Sequence, residues 1–192
     1  MNRRELIRGG ALLAASGAGL AALAPAAAAA PPDGDLAYLR LLVAAELLAL
    51  DFEAQARANG KAAGRTAALL KQIRADDTAH YAGLGAMLNG AGQPPTTAGD
   101  IDFTYPKGSF ASQGSILKLG WTLSTLSLGA YLGAVQSVQT SELRGPIGQI
   151  AANEAQHVSA FAQLLGRPVV GSAFAAALSI DGVSETLDRY ES

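Results

Sequence analysis

The sequence predicts an all-α chain folded as an antiparallel four-helix bundle with one long crossover between helices 2 and 3. Three observations say so. Four segments repeat apolar residues every three or four positions, strand signals are nearly absent, and the connections run short, long, short. The first segment spans about Asp35 to Asn59, with Asp35 placed to cap its start and Asn59-Gly60 to end it. The second runs from about Ala62 to Asn89. Between Gly90 and Phe110 the helical pattern stops. Pro94, Pro95, Pro106 and several Gly and Thr residues mark that stretch as loop. The third segment covers about Ser112 to Thr140 and the fourth about Leu143 to Leu165. Pro146 is tolerable there as a first-turn residue, and Gly166-Arg167-Pro168 stops the helix.

Connection lengths decide the topology. Short joints make antiparallel neighbours of helices 1 and 2, and of helices 3 and 4. A helix of about 25 residues is roughly 38 Å long. The twenty or so residues of the middle joint reach about 66 Å when extended, enough to cross the bundle from end to end. The length of that loop, unusual inside a compact domain, is thereby explained.

Composition bounds the rest. The 192 residues suffice for one ordinary domain. With 49% hydrophobic and only 16% charged residues, the chain can bury a core, which argues against wholesale disorder. The lack of cysteine excludes disulfides, thiolate metal sites and cysteine nucleophiles. A net charge of −2, with no basic run beyond the N-terminus, gives no footprint for nucleic acid.

The first thirty residues read as an address. Arg3-Arg4, then Leu6 and Arg8, resemble a twin-arginine export signal. The apolar run Gly9 to Leu23 is too short to span a bilayer comfortably, and Ala24-Pro25-Ala26 opens a series of A-x-A cleavage sites. The expected organisation is a signal peptide over 1–30, a bundle over 31–166 and a tail over 167–192. The tail is expected to carry two short helices, Phe174–Leu178 and Val183–Tyr190. Periplasm or cell envelope is the expected location, with no stable membrane insertion after cleavage; an uncut N-terminal anchor is the competing reading.

Two core stripes carry the chemistry. The second helix presents Leu70, Ile73, Asp77, His80, Leu84 and Met87; the fourth presents Ile147, Ile150, Glu154, His157, Phe161 and Leu164. Each apolar stripe is interrupted by an acid and, three residues on, a histidine. At a common offset Ile73 aligns with Ile150, Asp77 with Glu154, His80 with His157 and Leu88 with Leu165. The chain has only 2 histidines, and both fall at equivalent points of this repeat. The first helix adds Leu39, Val43, Glu46 and Leu50, again apolar with one acid. An ionised carboxylate in an apolar core costs several kcal/mol (~3 or more) unless compensated. Three acids and two imidazoles at one level can compensate one another through a bound cation, and such donors suit iron, manganese or zinc. The alternative is a metal-free polar network. In it Asp77 and Glu154 are satisfied by His80, His157, Tyr81, Tyr131 or hydroxyls of the third helix. Arg40, Asp51, Arg74 and Asp76 read as solvated faces or surface pairs.

At this point the chain resembles the ferritin-like superfamily, specifically the exported ferritin-like family that includes desiccation-related proteins. The matching pieces are Ala45 to Phe52, Asp77 to His80, the string Gly129-Ala130-Tyr131-Leu132-Gly133-Ala134 and Glu154 to His157. The resemblance covers roughly residues 35–166. It implies that Glu46, Asp77, His80, Glu154 and His157 are metal ligands, with Fe or Mn as the metal, one or two ions, and Zn also compatible. It also suggests a part in protection against oxidative or drying stress.

The chain departs from the family pattern in the third helix. A full di-metal site takes a carboxylate from that helix, but the position equivalent to Glu46 is Leu123, and no Asp or Glu occurs between Asp102 and Glu142. An incomplete site of this kind is expected to hold one ion, or two weakly. The missing carboxylate argues against efficient ferroxidase or oxygenase turnover. The other readings kept open are a metal-free structural or partner-binding module and an active di-iron oxidase using Tyr131 or Tyr81 beside the metal. A homo-oligomer is compatible with the pattern, and no protein partner is indicated.

Overall fold

The computed structural model describes residues 30–192; the expected signal peptide lies, but for its last residue, outside the described residues. Among the described residues there are four long helices and one short one: α1 (Asp33–Ala58), α2 (Gly64–Gly90), α3 (Gln113–Ser137), α4 (Ser141–Leu164) and α5 (Ile180–Leu187). α1 packs along α2 and α3 along α4; α1 also faces α3, while α2 and α4 meet more sparsely. The core is a continuous apolar cluster, including Leu39, Val43, Leu70, Leu84, Ile116, Ile147 and Phe161. The stripes read from the sequence are therefore the inward faces. The two helix ends read from glycine carry the expected left-handed residues, Gly60 (φ 71°) after α1 and Gly166 (φ 67°) after α4.

Two helix starts differ from expectation. α1 begins two residues before Asp35, and the buried Asp35 carboxylate does not cap its own helix. It accepts the backbone N–H groups of Gln139 and Thr140, both at 2.8 Å. Burial alone would raise the Asp35 pKa, but the Thr140 hydroxyl and these backbone bonds outweigh it and hold the carboxyl below its ordinary value. The side chain thus ties the start of α1 to the α3–α4 joint, 104 residues away in sequence. α4 begins at Ser141, so Pro146 lies inside the helix rather than in its first turn. Having no N–H, it leaves the Glu142 carbonyl without that helical partner.

The crossover is pinned at several points. The Tyr81 hydroxyl donates to the Thr96 carbonyl (2.9 Å), and Tyr105 donates to the Asp51 carboxylate (2.8 Å). Asp51 is therefore a partner of the crossover rather than a solvated face. The chain end closes on the same loop: Thr104 N–H donates to the Tyr190 carbonyl, and Phe103 and Glu191 form an isolated bridge.

The tail holds one helix where two were expected. Phe174–Leu178 is irregular, without helix, and α5 starts at Ile180. The reason lies in α3. Leu178 N–H donates to the Gly129 carbonyl (2.9 Å), and a Cβ added at Gly133 would stand 1.8 Å from the Leu178 carbonyl oxygen. The two glycines of the Gly129–Ala134 string thus leave room for the backbone around Leu178 to lie directly against α3. Gly133→Ala sets two effects in opposition. Helix propensity favours alanine by about 1 kcal/mol, while the collision with backbone costs about 1–3 kcal/mol. The collision is expected to win, lowering the melting temperature and exposing residues after Gly166 to limited proteolysis. A raised melting temperature with an uncut tail would contradict this packing.

Candidate metal centre

All five acids and histidines singled out by the sequence meet at one depth between α1, α2 and α4. Glu46 comes from α1, Asp77 and His80 from α2, and Glu154 and His157 from α4. One donor atom from each of Glu46, Asp77, His80 and Glu154 lies within 4.8 Å of the other three. His80 Nδ1 stands 3.5 Å from Glu46 Oε1, 3.6 Å from Asp77 Oδ1 and 3.4 Å from Glu154 Oε1. His157 Nδ1 approaches the same two oxygens, Asp77 Oδ1 at 3.5 Å and Glu154 Oε1 at 3.3 Å. The two rings are 6.1 Å apart between centroids. Asp77 and Glu154 therefore lie between the imidazoles, and Glu46 closes the His80 side.

The network is not self-satisfying. Glu46 Oε2, Asp77 Oδ1, His80 Nδ1 and His157 Nδ1 are buried without a hydrogen-bond partner. Such orphans are rare in folded proteins. Here Asp77 Oδ1, His80 Nδ1 and His157 Nδ1 converge with Glu46 Oε1 and Glu154 Oε1, and separations of 3.3–3.6 Å are close to the ~3.4 Å between two ligands each about 2.1 Å from a tetrahedral ion. Donor chemistry and spacing fit a divalent transition metal. The proposed hydrogen-bonding alternatives are partly engaged elsewhere. Tyr131 donates to Glu46 Oε1, and Tyr81 is spent on the crossover.

Electrostatics follows from the crowding of acids. Burial raises the Glu46 pKa to about 7, with Asp77 and Glu154 adding to the effect against His80. Burial likewise raises Asp77, assisted by the Glu154 charge. Burial would lower His80, but Asp77, Glu154 and Glu46 outweigh it and push the imidazole up to about 12. His157 is raised in the same way, burial being outweighed chiefly by Glu154. Glu154 alone is lowered, because both imidazoles overcome the burial that would raise it. Tyr131 is held neutral by its burial and by Glu46, so it serves Glu46 as a donor. Without a cation the cluster is thus a proton-holding one.

Three residues fall outside the sequence-based reading. Asp76 is not simply solvated: its Oδ2 lies 3.3 Å from His157 Nε2, and its Oδ1 accepts from Gln72. A carboxylate on the far nitrogen of a ligating histidine fixes the ring and its tautomer. Arg74 donates to the Leu50 carbonyl at 2.7 Å rather than to a surface partner. The third is Glu53, seven residues after Glu46 on α1. It is only 1% exposed, and both its carboxylate oxygens lack a hydrogen-bond partner. Arg74 Nη1 is its nearest cation, at 3.9 Å. The available signal was the i, i+7 spacing from Glu46, which returns a helical side chain to nearly the same face.

A four-helix bundle with one end-to-end crossover and a buried carboxylate–imidazole cluster defines a ferritin-like fold with a candidate metal centre. Residues 34–167 match the ferritin-like domain family, and the chain belongs to it. No curated protein matches the chain. Among the described residues, no helix is long and apolar enough to cross a membrane.

Proposed function

We propose that this protein binds a transition metal, iron or manganese, inside its helical bundle through Glu46, Asp77, His80, Glu154 and His157. The observation that carries the reading is the convergence of buried carboxylates and imidazoles from three helices, with Asp77 Oδ1, His80 Nδ1 and His157 Nδ1 left without a hydrogen-bond partner. Bound there, the metal would supply Lewis acidity or one-electron redox chemistry. The chain's own residues do the rest. Asp77 and Glu154 face both imidazoles, Tyr131 holds Glu46 in place, and Asp76 orients His157. Val43, Leu84 and Ile150, buried in the apolar core one turn from Glu46, His80 and Glu154 on their helices, leave the His80 side chain only 11% exposed. Zinc also satisfies this donor set. The absence of any acid on α3 favours holding the metal over ferroxidase or oxygenase turnover.

The leader Arg3-Arg4 and the alanine-rich stretch after it support export by the twin-arginine route to the cell envelope. Together with the resemblance to desiccation-related proteins, this supports a role in metal handling under oxidative or drying stress. Elemental analysis of protein exported from its native host tests the reading. Iron or manganese at one or more per chain is expected. Metal near zero in protein that also fails to take up added Mn(II) would favour the metal-free, partner-binding bundle instead.

A further inference from the structure

The geometry points to a second cation position beside the first, with Glu53 of α1 supplying the carboxylate that α3 lacks. This inference rests on the reading of the histidine cluster as a metal centre and extends it. A small cavity of about 10 Å³ lies between α1, α2, α3 and α4, lined among others by Glu53, Asp77, Glu154, Ser124 and Ser127. That is about the space of one water-sized sphere, so a bare divalent ion fits and an organic ligand does not. Leu123, the position where a family carboxylate would stand on α3, borders the same cavity. The acid is therefore absent from α3 while the space it would serve is reached from α1.

The side chain is otherwise unexplained. Glu53 is buried with neither oxygen hydrogen-bonded. Its neighbour Arg74 stands 3.9 Å off, beyond hydrogen-bond distance, and its Nη1 donates to the Leu50 carbonyl. A buried carboxylate left in that condition is costly, and a cation in the adjoining cavity would relieve it. Charge counting agrees. Glu46, Glu53, Asp77 and Glu154 together balance two divalent cations with neutral imidazoles, whereas one cation is balanced by two of them and leaves the other two to hold protons. The donors lining this second position are all oxygens, carboxylates with the Ser124 and Ser127 hydroxyls at hand. Its ligand class is a hard divalent ion such as Mn(II) or Fe(II) rather than a soft or nitrogen-seeking metal.

Equilibrium dialysis of the full chain against Mn(II) alone, with elemental analysis and low-temperature EPR, tests this. The wild type is expected to take two Mn(II) per chain with the spectrum of a spin-coupled pair. Glu53→Gln is expected to take one, with an uncoupled spectrum and an unchanged helical circular dichroism. Glu53→Met, which fills the space without donor oxygens, is expected to match it if the glutamine variant folds poorly. Equal stoichiometry in wild type and variants, at one or at two, overturns the second position and leaves the histidine centre standing. Loss of both ions from a folded variant also overturns it, since the positions would not be separable. No uptake by the wild type removes the histidine centre and this inference together.

Discussion

Replacing His80 by alanine is expected to empty the histidine-bearing position and, separately, to destabilise the metal-free protein by about 3–5 kcal/mol. Both effects follow from one set of distances. His80 Nδ1 is the common neighbour of Glu46, Asp77 and Glu154, at 3.4–3.6 Å. Without metal it is the proton carrier that offsets three buried carboxylates; with metal it is the nitrogen donor. Its loss leaves His157, which does not contact Glu46, and the Tyr131 hydroxyl. For a domain of this size the destabilisation corresponds to a fall in melting temperature on the order of 10 °C. His157→Ala is expected to release the ion as well, with a smaller thermal loss because His157 contacts two of those three carboxylates. Metal titration and calorimetry with and without chelator separate the two effects. If both variants kept the full wild-type metal content, the ligand assignment would fail. If His80→Ala melted like the wild type without metal, the compensating role of the imidazole would fail instead.

The difference between what was legible in the sequence and what was not is physical. The bundle, its crossover and the five clustered residues all rest on periodicity, and periodicity reports which face a side chain takes. Asp77–His80 and Glu154–His157 stand out because polar residues interrupt otherwise apolar stripes. Glu53 escaped because Asp51, Gln55 and Arg57 around it make the end of α1 look polar and solvated, and because the expected location of a fourth acid was α3. Asp76 escaped because a half-exposed acid beside a buried one reads as surface until its partner on α4 is known. Asp35 shows the same limit: an acid near a helix start reads as that helix's cap, and only the tertiary structure shows it bonded to Gln139 and Thr140 of another joint. Side-chain identity and local spacing were readable. Partners more than a helix away were not.

Proton linkage gives the other large effect: stability of the metal-free protein is expected to fall as pH rises through neutrality. Glu53 has a folded pKa of about 10, raised first by burial and then by Asp77, against an ordinary 4.5. His80 stands at about 12 against 6.5. Both are raised, so the folded state binds protons that the unfolded state has released, from about pH 4.5 upward for Glu53 and about pH 6.5 upward for His80. Stability therefore decreases with pH, by about 1.4 kcal/mol per unit for each such proton. Glu46, raised to about 7, adds to the slope only below that pH. Glu154 is lowered, and its opposite contribution is confined to pH values below about 4.5. A metal ion requires these ligands unprotonated, so binding must expel the protons and grow tighter as pH rises. Melting curves from pH 5.5 to 8.5 are then expected to diverge. The chelator-treated protein should melt lower at each step up in pH, while the Mn(II)-saturated protein gains on it. Calorimetric titration in two buffers of different ionisation enthalpy should show proton release on Mn(II) binding. A metal-free melting temperature that climbed across this window would mean the cluster does not hold its protons, and the charge assignments around Glu53 and His80 would have to be reversed.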